Sequence, residues 1–513
     1  MYRKEPQKKM KVIKPTIKTL AITLTCLILS KSALGCTSVV VGSEATKDGS
    51  LIIARTADGS AFRPAHLTIY PATKGVKGMY YAKDHNHMTD FSYPLPENGL
   101  RYSAAPNWKT KVRGSTGFNE AGVGFSGTET IYAKPEALKN DPYNTQDGIT
   151  EDDIPGVVLP RVHSAREGVQ LIGGIIETIG AGEGFGIILV DEKESWYLET
   201  GSGHHFLAQR TPKDKYLASA NQGRLTTYIE GDDNFIASKG LIQYAIDNGL
   251  YKKEEGEFNF THAYARDGDK DLIYNYPRVW QMQKILTPSL KQDVMKGVDM
   301  PNYVKPDNKL TVNDIKKVFR NHFETGELSK HDPYSKGLKG NSETFRPISI
   351  FRTYQSHIMQ VRPWLPRAIG EVTYFGQGMP DLAIYIPIYA GMSHYPKSWA
   401  AASNKADRHS PYWKFRKLQT LVMTDYPKLA PIVKAAYAKL ENDIAKRQVE
   451  FEKEYLELIK TDKEAAQKAL DDFCITAMND AEELTLDLTD EAFTIRTQDI
   501  ETLNKFMNRN KAD

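Results

Sequence analysis

Between Thr37 and Arg55 the apolar residues fall in two short β-rich runs, Thr37 to Gly42 and Ser50 to Arg55, separated by a polar stretch that ends in Lys47-Asp48-Gly49. Two such runs around an Asp-Gly turn predict a β-hairpin. With the turn centred near Thr46, paired positions sum to about 92, which sets residue 56, give or take two, opposite Cys36. Arg55 and Asp58 fall inside that window. The next strong periodicity is helical: Ser164-Ala-Arg-Glu167 reads as a capping box, Val169, Ile172, Ile176 and Ile179 recur on one face, and Gly180 is the stop. A β-meander is expected after it, at Gly186 to Asp191, Ser195 to Thr200, His205 to Arg210 and Tyr216 to Ala220, with Asn221 ending the fourth strand. Helices are predicted around Ile236 to Asn248 and Arg278 to Leu286, and another β-rich stretch from Ile348 to Tyr389. After about Ser410 charged and apolar residues interleave at helical spacing, as in an amphipathic layer packed on a core. No fixed-period repeat or long linker interrupts the chain. The pattern reads as one α+β catalytic region, residues 36–410, with a helical C-terminal extension, 411–513, packed on it.

The first 35 residues are of another kind. Arg3, Lys4, Lys8, Lys9, Lys11, Lys14 and Lys18 precede an apolar run from Leu20 to Leu29, then Ser32-Ala33-Leu34-Gly35. That order is a secretory signal, so residues 1–35 are expected to be a cleaved leader and the protein to be exported, to a periplasm or to the medium. Met10 opens a shorter leader of the same form. The apolar run is roughly ten residues, short of the ~20 needed to span a bilayer, and no later run is longer, so no permanent membrane span is expected. The chain's 67 Lys and Arg against 64 Asp and Glu fall to 59 against 63 without the leader, turning a net charge of +3 into about −4. Such a surface, lacking a basic stripe, excludes nucleic acid as the partner. Of three cysteines, Cys26 lies in the leader and only Cys36 and Cys474 remain, too few for a disulfide framework; a single bridge between them is the minor alternative.

The leader ends where the first strand begins, and the residue at that point is a cysteine. An N-terminal nucleophile carries its own base, because an α-amine has an ordinary pKa of about 7.7 to 8.0. The thiol, near 8.5 when free, ionises more readily beside a cation, and Arg55 is in register to supply one. Asp58 would accept from the α-ammonium and orient it. Taken alone, Arg55 and Asp58 would read as an ordinary surface pair at a strand end, with Asp58-Gly59 starting a turn. The coincidence of leader end, cysteine and returning hairpin favours catalysis by Cys36.

These residues resemble the cysteine dipeptidases of the N-terminal-nucleophile hydrolases, related to choloylglycine hydrolases and penicillin V acylases. The likeness spans most of the mature chain. It rests on Cys36-Thr37-Ser38, Arg55-Thr-Ala-Asp58, the run from Asn119 to Thr130, Trp196 to His204, Ala220-Asn221, Pro277-Arg278-Val-Trp280, His357 to Pro363 and Tyr385 to Gly391. The resemblance implies a four-layer αββα fold, two antiparallel sheets face to face between helical layers. It also implies that Arg55 and Asp58 flank Cys36, that Asn221 donates to an oxyanion and that Arg278 supports the site from a helix. By its own position Asn221 could be a donor aimed at developing charge, but an Asn at a strand end is more often a turn residue. Where related acylases place an Asn as second oxyanion donor, this chain has Glu129. An ionised carboxylate cannot donate, so that role passes to another group such as a backbone N–H. Glu129, with Thr128 beside it, would instead take the ammonium of a peptide substrate and favour dipeptides.

Other motifs point away from other chemistries. His85-Asn-His87 and Gly203-His204-His205 have metal-ligand composition but no matching third ligand, so no metal is assigned. The glycine run Gly180 to Gly186 ends a helix and precedes a strand, the reverse of a dinucleotide loop, and there is no Gly-x-Ser-x-Gly elbow. No cofactor is expected; small peptides are the expected partners, and a homo-oligomer is compatible with the sequence. Two rivals stay open: an amidase of bile-salt or penicillin V type, and a lipoprotein anchored through Cys36 with a binding role. Ala33 and Gly35 suit ordinary signal peptidase better than lipoprotein processing, where the third position before the cysteine is usually Leu.

Overall fold

Period-two alternation along the strands decides how this chain stacks into layers. The computed structural model describes residues 35–84, 89–106, 115–127, 130–336 and 345–509, the side chains of 506–509 excepted. Among the described residues thirteen strands form two large sheets: β1 (Thr37–Val41), β2 (Leu51–Asp58), β3 (Thr116–Phe118), β4 (Gly124–Ser126), β5 (Gly186–Val190), β6 (Ser195–Thr200), β7 (Phe206–Arg210), β8 (Tyr216–Ser219), β9 (Phe235–Ala237), β10 (Tyr303–Val304), β11 (Thr353–Val361), β12 (Glu371–Gln377) and β13 (Ile386–Tyr389). The seven-stranded sheet runs β10-β8-β1-β2-β11-β12-β13 and the six-stranded sheet β9-β7-β6-β5-β4-β3, antiparallel throughout.

In the seven-stranded sheet Val40, Leu51, Ile53, Leu217 and Met359 face inward, meeting Phe118, Ile188, Val190, Tyr197 and Leu207 of the other sheet. The alternate residues Val39, Val41, Ile52 and Ala54 pack outward on helices α2 (Tyr276–Leu286) and α3 (Val312–Arg320), which follow α1 (Ala165–Thr178) in the chain. Leu189, Trp196 and Leu198 of the six-stranded sheet pack outward on Val169, Ile172 and Ile176 of α1. The result is four layers, αββα. Helices α4 (Pro411–Val422), α5 (Tyr426–Thr461) and α6 (Lys463–Arg509) cover the β12–β13 side, where Leu418, Val433, Tyr437 and Leu470 meet Val372, Phe375, Ile386 and Ile388. Residues 35–513 form one compact unit. Among the described residues no helix is long and apolar enough to cross a membrane.

The expected elements are mostly present, with informative shifts. Hairpin positions pair with a sum of 93, Ser38 opposite Arg55, so the register differs by one from the turn-centre estimate. That step matters, because one residue of register moves a side chain to the other face. The expected meander breaks after its third strand. The fourth, β8, crosses to the other sheet and pairs with β1, Ser38 opposite Ser219. The segment expected as a helix from Ile236 starts as edge strand β9 and becomes helical only over Leu241–Asp247, beyond left-handed Gly240. At α1 Ser164 caps as read, accepting from Glu167 N at 3.1 Å, but the Glu167 carboxylate reaches past it to His163 N at 2.6 Å.

Candidate active site

Three neighbouring strands and one helix converge on the head of β1. Extending the β1–β8 register by two residues sets Asn221 against Cys36 on one flank, and β2 brings Arg55 to the other. With Ser38 opposite Arg55, Cys36 and Arg55 point to the same side of the sheet, and Arg55 Nη2 donates to Cys36 Sγ at 3.0 Å. Asp58, three residues on, points the other way. Its carboxylate accepts from Arg346 Nη2 and from Thr353 Oγ1, and its backbone oxygen accepts from Gly35 N at 3.3 Å.

Arg278, in the first turn of α2, is fully buried and ties the pieces together. Its Nη1 donates to the Cys36 carbonyl and, at 3.0 Å, to Thr37 Oγ1; its Nη2 donates to Asn221 Oδ1 at 2.8 Å and Asn275 Oδ1 at 2.6 Å. Because a guanidinium has only donors, it decides which way the Asn221 amide lies: Oδ1 toward Arg278 and Nδ2 away, where it reaches Thr130 O at 3.3 Å. Asn275 also bonds both ways to the Asn221 backbone, accepting from N at 3.1 Å and donating to O at 3.0 Å. Asn221 is thus a donor held in place from two sides.

The electrostatics are those of a crowded cationic pocket. Burial pushes the Cys36 thiol up; the Arg55 charge opposes this, while Asp58 and Glu151 add to the rise. Burial works against the Arg55 cation, but attraction to Cys36 and then to Glu151 holds it firmly charged. Arg278 is pushed down to about 9, first by burial and then by the Arg346 charge. On β11 His357 pairs directly with Arg55 across the strands and accepts or donates at 2.8 Å to Ser126 Oγ of the facing sheet. Burial, and then the Arg55 charge, keep that imidazole neutral.

Of the residues expected from the sequence, Cys36, Arg55, Asp58, Asn221 and Arg278 come together. Thr128 and Glu129 lie outside the described residues, as does His85-Asn-His87. His204 and His205 have structural partners, His204 Nδ1 on Asp141 at 2.7 Å and His205 Nδ1 on Ser238 Oγ at 2.9 Å. Among the described residues no group of three or more His, Cys, Asp or Glu is placed to hold a metal ion. Cys36 and Cys474 are both buried and unbridged. Sequence reading missed Arg346, Asn275 and Tyr274. Asn275 and Tyr274 flank the recognised Pro277-Arg278 motif and were within reach of it; Arg346 sits in a loop with no periodic or motif signal.

A cysteine heading an inner strand of an αββα double sheet places the molecule in the N-terminal-nucleophile hydrolase fold. The chain belongs to Peptidase family C69, whose sequence pattern matches residues 35–439. It is similar to a probable dipeptidase of Salmonella dublin, 48% identical over 381 residues, 74% of this chain and 86% of that one. Dipeptidase A of Lactobacillus helveticus is 28% identical over 479 residues, covering 90% of this chain and 98% of its own. Among solved structures, penicillin V acylase from Agrobacterium tumefaciens aligns with 69% of this chain and 86% of its own, at 13% identity and a TM-score of 0.31.

Proposed function

We propose that this protein is an exported dipeptidase in which Cys36, freed by removal of residues 1–35, is the nucleophile. The observation that carries the reading is the 3.0 Å contact from Arg55 Nη2 to Cys36 Sγ, in the residue that directly follows Gly35. Relatives named dipeptidases support the substrate class. The thiolate attacks the peptide carbonyl, and Asn221 Nδ2 with a backbone N–H stabilises the oxyanion. The Cys36 α-amine carries the proton from the thiol to the departing amine as the C–N bond breaks, leaving a thioester. The same amine then takes a proton from water, whose oxygen adds to the thioester and releases the acid and the thiol. Glu129 and Thr128 receive the substrate's ammonium. In the full chain the Cys36 nitrogen is an amide, which has no basicity to offer, so leader removal supplies the base as well as access to the sulfur.

The test is hydrolysis of dipeptides, glycocholate and penicillin V by the mature protein and by Cys36→Ala. Dipeptide cleavage that Cys36→Ala abolishes, with an unchanged melting temperature, is expected. A fully active Cys36→Ala protein ends the mechanism, and cleavage of glycocholate and penicillin V alone ends the dipeptidase assignment. N-terminal sequencing and intact mass are expected to give an unmodified Cys36; a lipid mass on its amine would remove the base and favour an anchored protein.

A further inference from the structure

Tyr274 sits amid cations beside Gly35, the residue before Cys36. The guanidinium carbons of Arg278 and Arg346 each lie 5.0 Å from its ring centroid, and Arg352 Nη2 donates to its hydroxyl at 2.5 Å. Asp58 pairs with Arg346. Burial lowers the affinity of Arg278 for its proton, and the neighbouring Arg346 charge lowers it further. A poorly solvated pocket holding several like charges gains from an incoming anion.

What occupies this pocket in the full chain is a neutral carbonyl. Arg346 Nη2, besides pairing with Asp58, donates to Gly35 O at 3.0 Å. Gly35 is packed so closely that a Cβ there would overlap the Tyr274 hydroxyl. Its carbonyl carbon is bonded to the Cys36 nitrogen, so the oxygen lies about 2.3 Å from the atom that becomes the α-amine. When residues up to Gly35 leave, Arg346 loses this acceptor, and the space beside the new amine opens onto Arg346, Arg352 and the Tyr274 hydroxyl. The departing nitrogen of the substrate must come within hydrogen-bond reach of that amine to receive its proton. In a dipeptide the carboxylate is attached to the α-carbon of the departing nitrogen, so it arrives at the same place.

We propose that Arg346, Arg352 and the Tyr274 hydroxyl form the seat for the free α-carboxylate of the substrate's departing residue, a seat that the Gly35 carbonyl fills until the leader is removed. This inference rests on the dipeptidase reading above and says what limits the enzyme to dipeptides. Planar guanidiniums pair with a carboxylate through two hydrogen bonds and orient it. A longer peptide or a C-terminal amide brings a neutral group to the seat, and that ion pairing is not made.

The experiment compares kcat/KM for one dipeptide with that for its C-terminal amide, using the mature wild type, Arg346→Gln and Arg352→Gln. Wild type is expected to prefer the free acid by about ten- to a hundredfold, the value of one or two charge-assisted hydrogen bonds. In each variant that ratio is expected to fall toward one, chiefly through KM for the acid. Arg352 is only partly buried, so its variant carries the test should Arg346→Gln fail to fold. A wild type that cleaves acid and amide equally well overturns the seat and leaves the dipeptidase reading standing, as do variants that lose both activities in proportion. A wild type that cleaves neither overturns both.

Discussion

Cys36 is under two opposed influences, burial that favours the thiol and Arg55 that favours the thiolate. Arg55 in turn owes its position to one step of hairpin register. Had the pairing followed the sum of 92, Cys36 would share a face with Asp58 and not with Arg55. Arg55→Gln removes the cation and keeps a donor, so the Cys36 pKa is expected to rise. The pH dependence of Cys36 alkylation in the mature protein is then displaced to higher pH, and kcat/KM at neutral pH falls by about ten- to a hundredfold. An unmoved alkylation profile would show that Arg55 does not stabilise the thiolate. Cys36 and Arg55 were legible in the sequence because each is tied to a local signal, the end of a basic-then-apolar segment and a hairpin. Arg346 was not, since it reaches Asp58 across 288 residues of chain from an irregular loop.

At the scale of the elements, β6 shows how a strand supports the site from below. Its residues Trp196 and Leu198 face α1, so Tyr197 and Glu199 face the space between the sheets. There Glu199 is completely buried and accepts from Arg224 N at 2.7 Å and Leu225 N at 3.0 Å, pinning the turn that follows Asn221. Burial raises its pKa to about 7, with the two amide donors and Arg224 opposing. A carboxyl whose folded value lies above its unfolded value of about 4.5 binds more protons when folded, so its contribution is full below pH 4.5 and is lost as pH rises through 7. Glu199→Gln is therefore expected to reduce the fall in melting temperature between pH 5 and pH 7.5 by on the order of 2 °C. An identical fall in both proteins would contradict this. Element type followed period and turn residues well, but pairing did not: β8 reads as the last strand of a meander, and only the burial of Leu217 between the two sheets and of Tyr216 against α2 and α3 explains its crossing.

In the whole molecule the C-terminal helices and the site are mechanically one. Arg416 of α4 donates to Phe351 O and Thr353 O, each at 2.6 Å, and the Thr353 hydroxyl holds Asp58. Arg416→Gln withdraws donors from buried carbonyls at a cost of about 1–3 kcal/mol each, and is expected to lower both melting temperature and dipeptide hydrolysis. A chain ended at residue 410 uncovers Val372, Phe375, Ile386 and Ile388, and is expected in the insoluble fraction on expression. A soluble, active 36–410 protein would show that the helical extension is dispensable. The sequence by itself determined most of the strands and helices and which thiol heads the first strand, because capping, periodicity and turn chemistry act over a few residues. Tertiary structure decided the register that sets Arg55 on Cys36, the crossing of β8 that brings Asn221 alongside, and the gathering of Arg278, Arg346 and Arg352 around Tyr274. Those depend on which apolar faces bury one another across hundreds of residues, and no local pattern encodes that choice.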